Sequence, residues 1–351
     1  MISNIPDFRL SMGGADLRGT LFNELAKLLD ITQKVVPRLV SMTLTEKRGD
    51  EADQLDLVLT DAVSSNTARL AIPNPGVTLN LQLGWKQGTD VTVGLVDKGT
   101  FIVDEVSHDG MPDIITIRAH SADFTGKLTT RKDKGWHATT LGGIVAEIAG
   151  HHGLKPSCEA SLASIAFDAK AQSGESDIAF LKRLGREHDA VATIKRGTLV
   201  FAPIGTGQTP SGTALPVVTI KRADGGNHSF KISKREATEG VTAAWHDRGT
   251  AKRKTVTVGK EGSSKKLLKV HVNENDARTA AHAAMGRSQR SQCSLDLTLA
   301  VGRPELFPEQ KVKVEGYKAE IDAVPWLIDE VSHSYSNSGF VTSIKLQGLN
   351  Q

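Results

Sequence analysis

The sequence predicts an α+β chain that is mainly β: two small β-barrel domains related by internal duplication, with an inserted α/β region between them. Three observations predict it. Asp104-Glu105-Val106-Ser107-His108 recurs letter for letter as Asp329-Glu330-Val331-Ser332-His333 near the far end of the 351-residue chain. Short β-rich runs separated by turn residues fill both ends. Between them, apolar residues switch to helical spacing.

The repeat extends beyond five letters. Phe101-Ile102-Val103 precedes the first copy and Trp326-Leu327-Ile328 the second, and each copy leads through a polar turn into another β-rich run, 114–118 or 341–346. Each therefore reads as a β-hairpin.

The other elements follow in order. Phe8 to Met12 form a strand closed by Gly13-Gly14, and Leu21, Phe22, Leu25, Leu28 and Leu29 share one face of a short helix. Strands over 39–45 and 54–60 flank the turn Lys47-Arg48-Gly49-Asp50, and 78–83 and 90–95 continue the β pattern. Thr139 or Thr140 caps a helix over 141–149 with Gly153 as its stop, and Ser176 caps a second over 177–184. A hairpin over 191–201 turns at Arg196-Gly197, and the Gly/Pro/Thr-rich stretch 203–216 is an internal boundary. Strands around 217–220, 240–245, 255–258 and 267–272 precede an Ala-rich helix from Asp276 to about Ser291, and 294–299 with 311–314 lead into the second hairpin. The predicted domains are a first barrel (1–125), a helix-containing α/β domain (126–205), a basic β-rich domain ending in a helix (206–290) and a second barrel (291–351).

Composition narrows the function classes. Hydrophobic residues make up 39% and charged residues 24%, as in a soluble protein, and no run of apolar residues predicts export or membrane insertion. Cys158 and Cys293 are too few for a disulfide framework and have no CxxC partner, which predicts reduced thiols. The net charge of +3 is segregated: residues 221–290 hold 16 Lys/Arg against 7 Asp/Glu, leaving 27 against 33 elsewhere.

No candidate chemistry displaces a structural reading. Asp104 with Glu105, and Asp329 with Glu330, are neighbours on strands, so each pair points to opposite faces and cannot aim two carboxylates at one glycosidic bond. His108 and His333 read as hairpin-end or interface residues. His137, His151, His152 and Cys158 match no compact zinc spacing, and His151-His152 suit a helix end as cations. Gly205-Thr206-Gly207 lacks the strand and Lys of a phosphate cradle, and His246-Asp247 reads as a polar turn without a nucleophilic serine. The basic block, including Lys252-Arg253-Lys254 and Lys265-Lys266, could neutralise phosphates. Only Phe230 and Trp245 are aromatic there, so a solvated or partner-facing surface is favoured over base recognition. No catalytic, cofactor-binding or metal residue is assigned.

In the order and spacing of its segments the chain resembles the phage late control protein D family, the baseplate hubs of contractile tails. The segments are Arg38-Leu39-Val40-Ser41-Met42-Thr43-Leu44-Thr45, Glu51-Ala52-Asp53-Gln54-Leu55-Asp56, Leu83-Gly84-Trp85, 101–106, Ser121-Ala122-Asp123-Phe124, Trp136-His137-Ala138-Thr139-Thr140-Leu141-Gly142 and Val301-Gly302-Arg303-Pro304-Glu305-Leu306. Glu175-Ser176-Asp177-Ile178-Ala179-Phe180-Leu181 also resembles the hub portion of type VI secretion spike proteins. Residues 17–36 depart from the pattern, being longer than the family's usual opening.

The resemblance implies a non-enzymatic virion protein, made in the host cytoplasm. It would be a homotrimer whose paired barrels form a pseudo-six-fold ring joining the six-fold tail tube to a three-fold central spike and lining the ejection channel. Tube, spike, other baseplate proteins, the tape-measure protein and passing DNA are the implied partners. A type VI secretion or tailocin spike hub is the alternative. A cell-wall hydrolase using Glu147, Glu175 and Glu187, or a DNA-binding regulator, stands behind that.

Overall fold

Alternation of buried and more exposed side chains, broken by a bulge between Leu39 and Ser41, builds the strands that organise the molecule, because a pleated strand sends successive residues to opposite faces. Strand Leu39–Lys47 buries Leu39, Met42, Leu44 and Glu46, and Gln54–Thr60 buries Leu55, Leu57 and Leu59. The computed structural model describes residues 3–13, 29–49, 51–62, 69–121, 126–233, 238–247 and 249–349.

These two strands form a bridging hairpin at the middle of a 13-stranded sheet. On one side Gln54–Thr60 pairs with Ile114–Ser121, the second strand of the first repeat hairpin, whose first strand is Gly94–Asp109. On the other side Leu39–Lys47 pairs with Trp326–Ser336, the first strand of the second repeat hairpin, which continues into Gly339–Gly348. The main path runs from Gly225–Ile232 to Leu29–Asp30 without returning on itself. No closed barrel forms among the described residues, which corrects the expectation of two. The bridging hairpin occupies the free edge of both repeat hairpins and joins them instead of letting each close alone.

Two apolar clusters line this sheet. One gathers Phe8, Leu10, Leu44, Leu55, Leu81, Trp85 and Phe101, and the other Leu295, Leu297, Val312, Trp326, Ile328 and Ile344. Phe340, from the second hairpin, packs in the first cluster 5.5 Å from Trp85, and Trp85 Nε1 donates to the Gly302 carbonyl at 3.0 Å. The two halves of the sheet are thereby interlocked.

A third cluster forms around helices Leu141–His151 and Asp177–His188. Thr140 accepts from the Gly143 amide at 3.1 Å and Ser176 from the Ala179 amide at 3.3 Å, so each helix starts at a hydroxyl cap. Hairpin Ala190–Lys195 with Thr198–Pro203 turns through Arg196 and Gly197, both at positive φ, as a two-residue turn between twisted strands requires. The pair Arg131–Thr140 and Ala166–Ser176 completes this unit; its polar, largely exposed sequence gave no strand signal.

The basic stretch divides. Val218–Lys221 and Gly225–Ile232 join the large sheet by pairing with Lys311–Glu315 and Cys293–Leu299. Strands Gly240–Asp247, Lys252–Gly259 and Ser264–His271 form a separate sheet on the helix Glu274–Ser291, with Val241, Ala243, Val256, Ala277 and Ala281 as its core. The helix expected over 21–29 lies outside the described residues except for Leu29, which is in a two-residue strand.

Candidate functional site: the repeated Asp-Glu step and the bridging hairpin

The repeated step has one backbone geometry in both places. In the first hairpin Val103 faces Ala119 and Glu105 faces Arg118, leaving Asp104 as the extra residue of a β-bulge. In the second, Ile328 faces Leu346 and Glu330 faces Lys345, leaving Asp329 extra. The following pairs also match: Val106 with Ile117 and Val331 with Ile344, Ser107 with Thr116 and Ser332 with Ser343. Glu105 bonds Arg118 at 3.0 Å and Glu330 bonds Lys345 at 2.9 Å. The conserved letters within this one chain therefore mark a bulge followed by a cross-strand ion pair.

The two bulged aspartates have different surroundings. Asp104 lies at the surface, 2.6 Å from His120 Nδ1. Asp329 reaches Arg48 Nη2 at 3.2 Å, and Arg48 also meets Glu309 Oε1 at 2.7 Å and Gln347 Oε1 at 3.0 Å. Glu309 in turn accepts from the Gly205 amide at 2.9 Å; its burial raises its carboxyl pKa and Arg48 opposes that rise. Arg48, at the tip of the bridging hairpin, thus clamps the closing segment.

The repeated histidines diverge likewise. His108 is partly exposed, 3.4 Å from Asp61. His333 is fully enclosed: Nδ1 lies 2.9 Å from Thr342 Oγ1, while Nε2 faces Glu46 Oε2 at 3.3 Å, off the line of a hydrogen bond. Lys98 Nζ reaches the same Glu46 oxygen at 2.6 Å and the Leu306 carbonyl at 3.2 Å. Burial and then the Lys98 charge hold His333 below its ordinary pKa, and Glu46 opposes that shift. Burial pushes the Glu46 carboxyl up, but Lys98 and His333 overcome it and hold the group at about 2. Glu46 carried a sequence signal that our reading missed: it is a charge in the buried phase set by Met42 and Leu44. Arg48 carried none, as a charged turn residue is ordinary.

Past the hairpin tip, Asp53 pairs with Lys195, and Arg196 Nη2 donates to the Asp97 carbonyl at 2.9 Å, docking the α/β unit on the sheet. A cavity of about 760 Å³ lies at this junction, with Glu46, Lys98, Asp53, Lys195 and Phe307 in its wall.

The remaining candidates do not converge. His137 and His151 are exposed, while His152 Nε2 meets Asp177 at 2.8 Å, a carboxylate already held by Lys132. Burial, then Glu159, raises the Cys158 thiol to about 11, which disfavours the thiolate; burial also raises Cys293. No group of three His, Cys, Asp or Glu is arranged to hold a metal among the described residues. His246 and Asp247 lie in the strand Gly240–Asp247, which corrects the expectation of a turn, and Asp247 at its end accepts from Thr250 at 2.8 Å and from the Gly249 amide at 3.0 Å. Gly205 serves Glu309, as above. Glu147 pairs with Lys134, Glu175 with Arg183 at 2.8 Å, and Glu187 with Lys170 at 3.0 Å and Lys269 at 2.6 Å.

What the geometry provides is a joint: one hairpin that holds two like hairpins and the α/β unit through buried ions. Comparison with known proteins gives that joint a context. The family described as phage tail baseplate hub (GPD) matches residues 51–339. The chain is 38% identical over 359 residues to the probable baseplate hub protein of Escherichia phage 186, covering 91% of this chain and 90% of that one. Its fold is shared with the 43 kDa tail protein of prophage MuSo2 from Shewanella oneidensis, at TM-score 0.68 and 16% identity, covering 96% and 98% of the two chains. It is also shared with the E. coli c3393 protein, a component of the type VI secretion system, at TM-score 0.52 and 14% identity, covering 90% and 74%. The chain belongs to the phage tail baseplate hub family.

Proposed function

We propose that this hub protein is a non-enzymatic homotrimer that adapts the six-fold tail tube to the three-fold central spike and lines the ejection channel. The observation that carries the proposal is the matched pair of bulged hairpins on either side of the bridging hairpin. One chain offers two like sheet segments, so three chains offer six around one axis, which satisfies both symmetries. Tube, spike, neighbouring baseplate proteins and the tape-measure protein are the partners this reading assigns. The four apolar clusters are read as its working units, two sheet halves, one α/β unit and one basic unit.

Native mass measurement should give a three-copy species, and a low-resolution image should show six lobes in a ring. A strict monomer at high concentration with tube and spike partners present would sink the proposal. The 38% identity to a phage hub supports the phage setting over a secretion apparatus, and tube, sheath and tape-measure genes beside this one would agree. The separate ion pairs of Glu147, Glu175 and Glu187 support a structural reading over a hydrolase. A muropeptide-release assay should detect no activity.

A further inference from the structure

Among the described residues the small sheet of the basic unit packs one face on a helix, while on its other face Thr242 and Ala244 are buried at the centre and the edge strand is exposed. Its strand order is Lys252–Gly259, Gly240–Asp247, Ser264–His271, and one side packs on the helix Glu274–Ser291 through Val241, Ala243 and Val256. Paired residues share a face, so Thr242 with Lys266, Ala244 with Thr255 and Val270, and His246 with Arg253 point to the other side. Along the edge strand the register breaks between Lys266 and Val270, with Ala243 facing three residues. The break turns Leu267 inward and leaves Leu268 99% exposed, beside Val270 at 43% and Val272 at 56%. Outward-pointing aliphatic side chains on an edge strand are what soluble proteins ordinarily avoid or cover.

The charges carried by the three strands are nearly all of one sign. The three strands contain Lys252, Arg253, Lys254, Lys265, Lys266 and Lys269 against the single acid Asp247. Asp247 is taken by Lys254, and Lys269 turns away to Glu187. Lys252, Arg253, Lys265 and Lys266 have no ion pair among the described residues; by the same pairing Arg253 and Lys266 lie on the face away from the helix and Lys252 and Lys265 on the helix side.

We infer that this face docks an acidic, aliphatic-bearing segment of a different protein chain. Charge complementarity selects that occupant: a second copy would lay cations against cations, and phosphates would gain nothing from Leu268, Val270 and Val272. Nor does the face offer a stacking platform, because Trp245 points to the helix side, with Lys254 Nζ 5.4 Å from its ring centre.

The test uses the full chain and a fluorescent synthetic peptide alternating Glu/Asp with Leu/Val, read by anisotropy at near-physiological salt. Binding is expected, with a loss of about tenfold or more in Leu268→Asp and in Arg253→Glu/Lys266→Glu. A peptide with Ser in place of Leu/Val should bind about tenfold more weakly. Leu268 lies outside the core, so circular dichroism of the variant should match the parent. No peptide binding, equal binding of the Ser peptide, or no effect of Leu268→Asp would overturn the inference. So would tighter, Leu268-dependent binding of duplex DNA or anionic vesicles, or a drop in oligomer mass in Leu268→Asp, which would assign the face to a second copy.

Discussion

The residue with most influence on the joint is Glu46, a carboxylate inside the sheet whose cost of burial is offset by Lys98 and adjoining His333. Removing Lys98 leaves that charge uncompensated, and Lys98→Met should cost about 3–5 kcal/mol in urea denaturation. The same group sets the acid response. His333 is depressed below 6.5 by burial and Lys98, so below that pH the unfolded chain takes a proton that the fold refuses. Its contribution is whole above 6.5 and is lost as pH falls toward the folded value. Glu46 acts lower, with stability present above its unfolded 4.5 and lost as pH falls toward about 2. Denaturation midpoints should therefore drop as pH falls below about 6.5 and drop further as it falls from about 4.5 toward about 2. His333→Gln should flatten the upper part of that slope, and an already flat parent profile there would refute the assignment.

Among elements, the repeat sets up a comparison between two identical sequences in unlike surroundings. Asp104→Ala removes a surface pair and should change stability by no more than about 0.5 kcal/mol. Arg48→Met, which strips Glu309 and Asp329 of their cation, should cost about 3 kcal/mol or more. Equal effects in urea titrations would mean that the second bulge is not the clamped one. The contrast also explains what the sequence made legible. The alternation over 39–45 and 54–60, the hydroxyl caps at Thr140 and Ser176, and both repeat hairpins were readable because local periodicity and capping chemistry fix them. Arg131–Thr140 and Gly225–Ile232 were not, since their solvated polar side chains carry no apolar period and their pairing comes from partners far along the chain. The joining of Leu39–Lys47 to Trp326–Ser336 was invisible for the same reason: nothing local to either strand encodes which distant edge it meets. Of the joint, Asp329 and His333 were named as repeat residues, but their clamped positions depended on Arg48, Lys98 and Glu309, whose charges look like surface charges in the sequence.

For the whole molecule, the sheet makes two of the four apolar clusters one mechanical body, while the other two keep cores of their own. The bridging hairpin hydrogen-bonds to both repeat hairpins, and Phe340 crosses from the second half into the first core. The α/β unit is held to the basic unit by the buried, two-pronged pair of Arg290 with Asp189 and by the more exposed pair of Lys269 with Glu187. The four tryptophans report on this division, because Trp85 and Trp326 sit in the two sheet clusters, Trp136 in the α/β cluster and Trp245 against the basic one. In single-tryptophan variants, with Phe at the other three positions, Trp85 and Trp326 should report one common urea transition. Trp245 should respond at lower urea, since the buried residues of its cluster are only two valines and three alanines. Separate midpoints for Trp85 and Trp326 would mean that the bridging hairpin does not couple the halves. The proposed ring would require such a joined pair of halves, so that its two like segments hold their places on one axis.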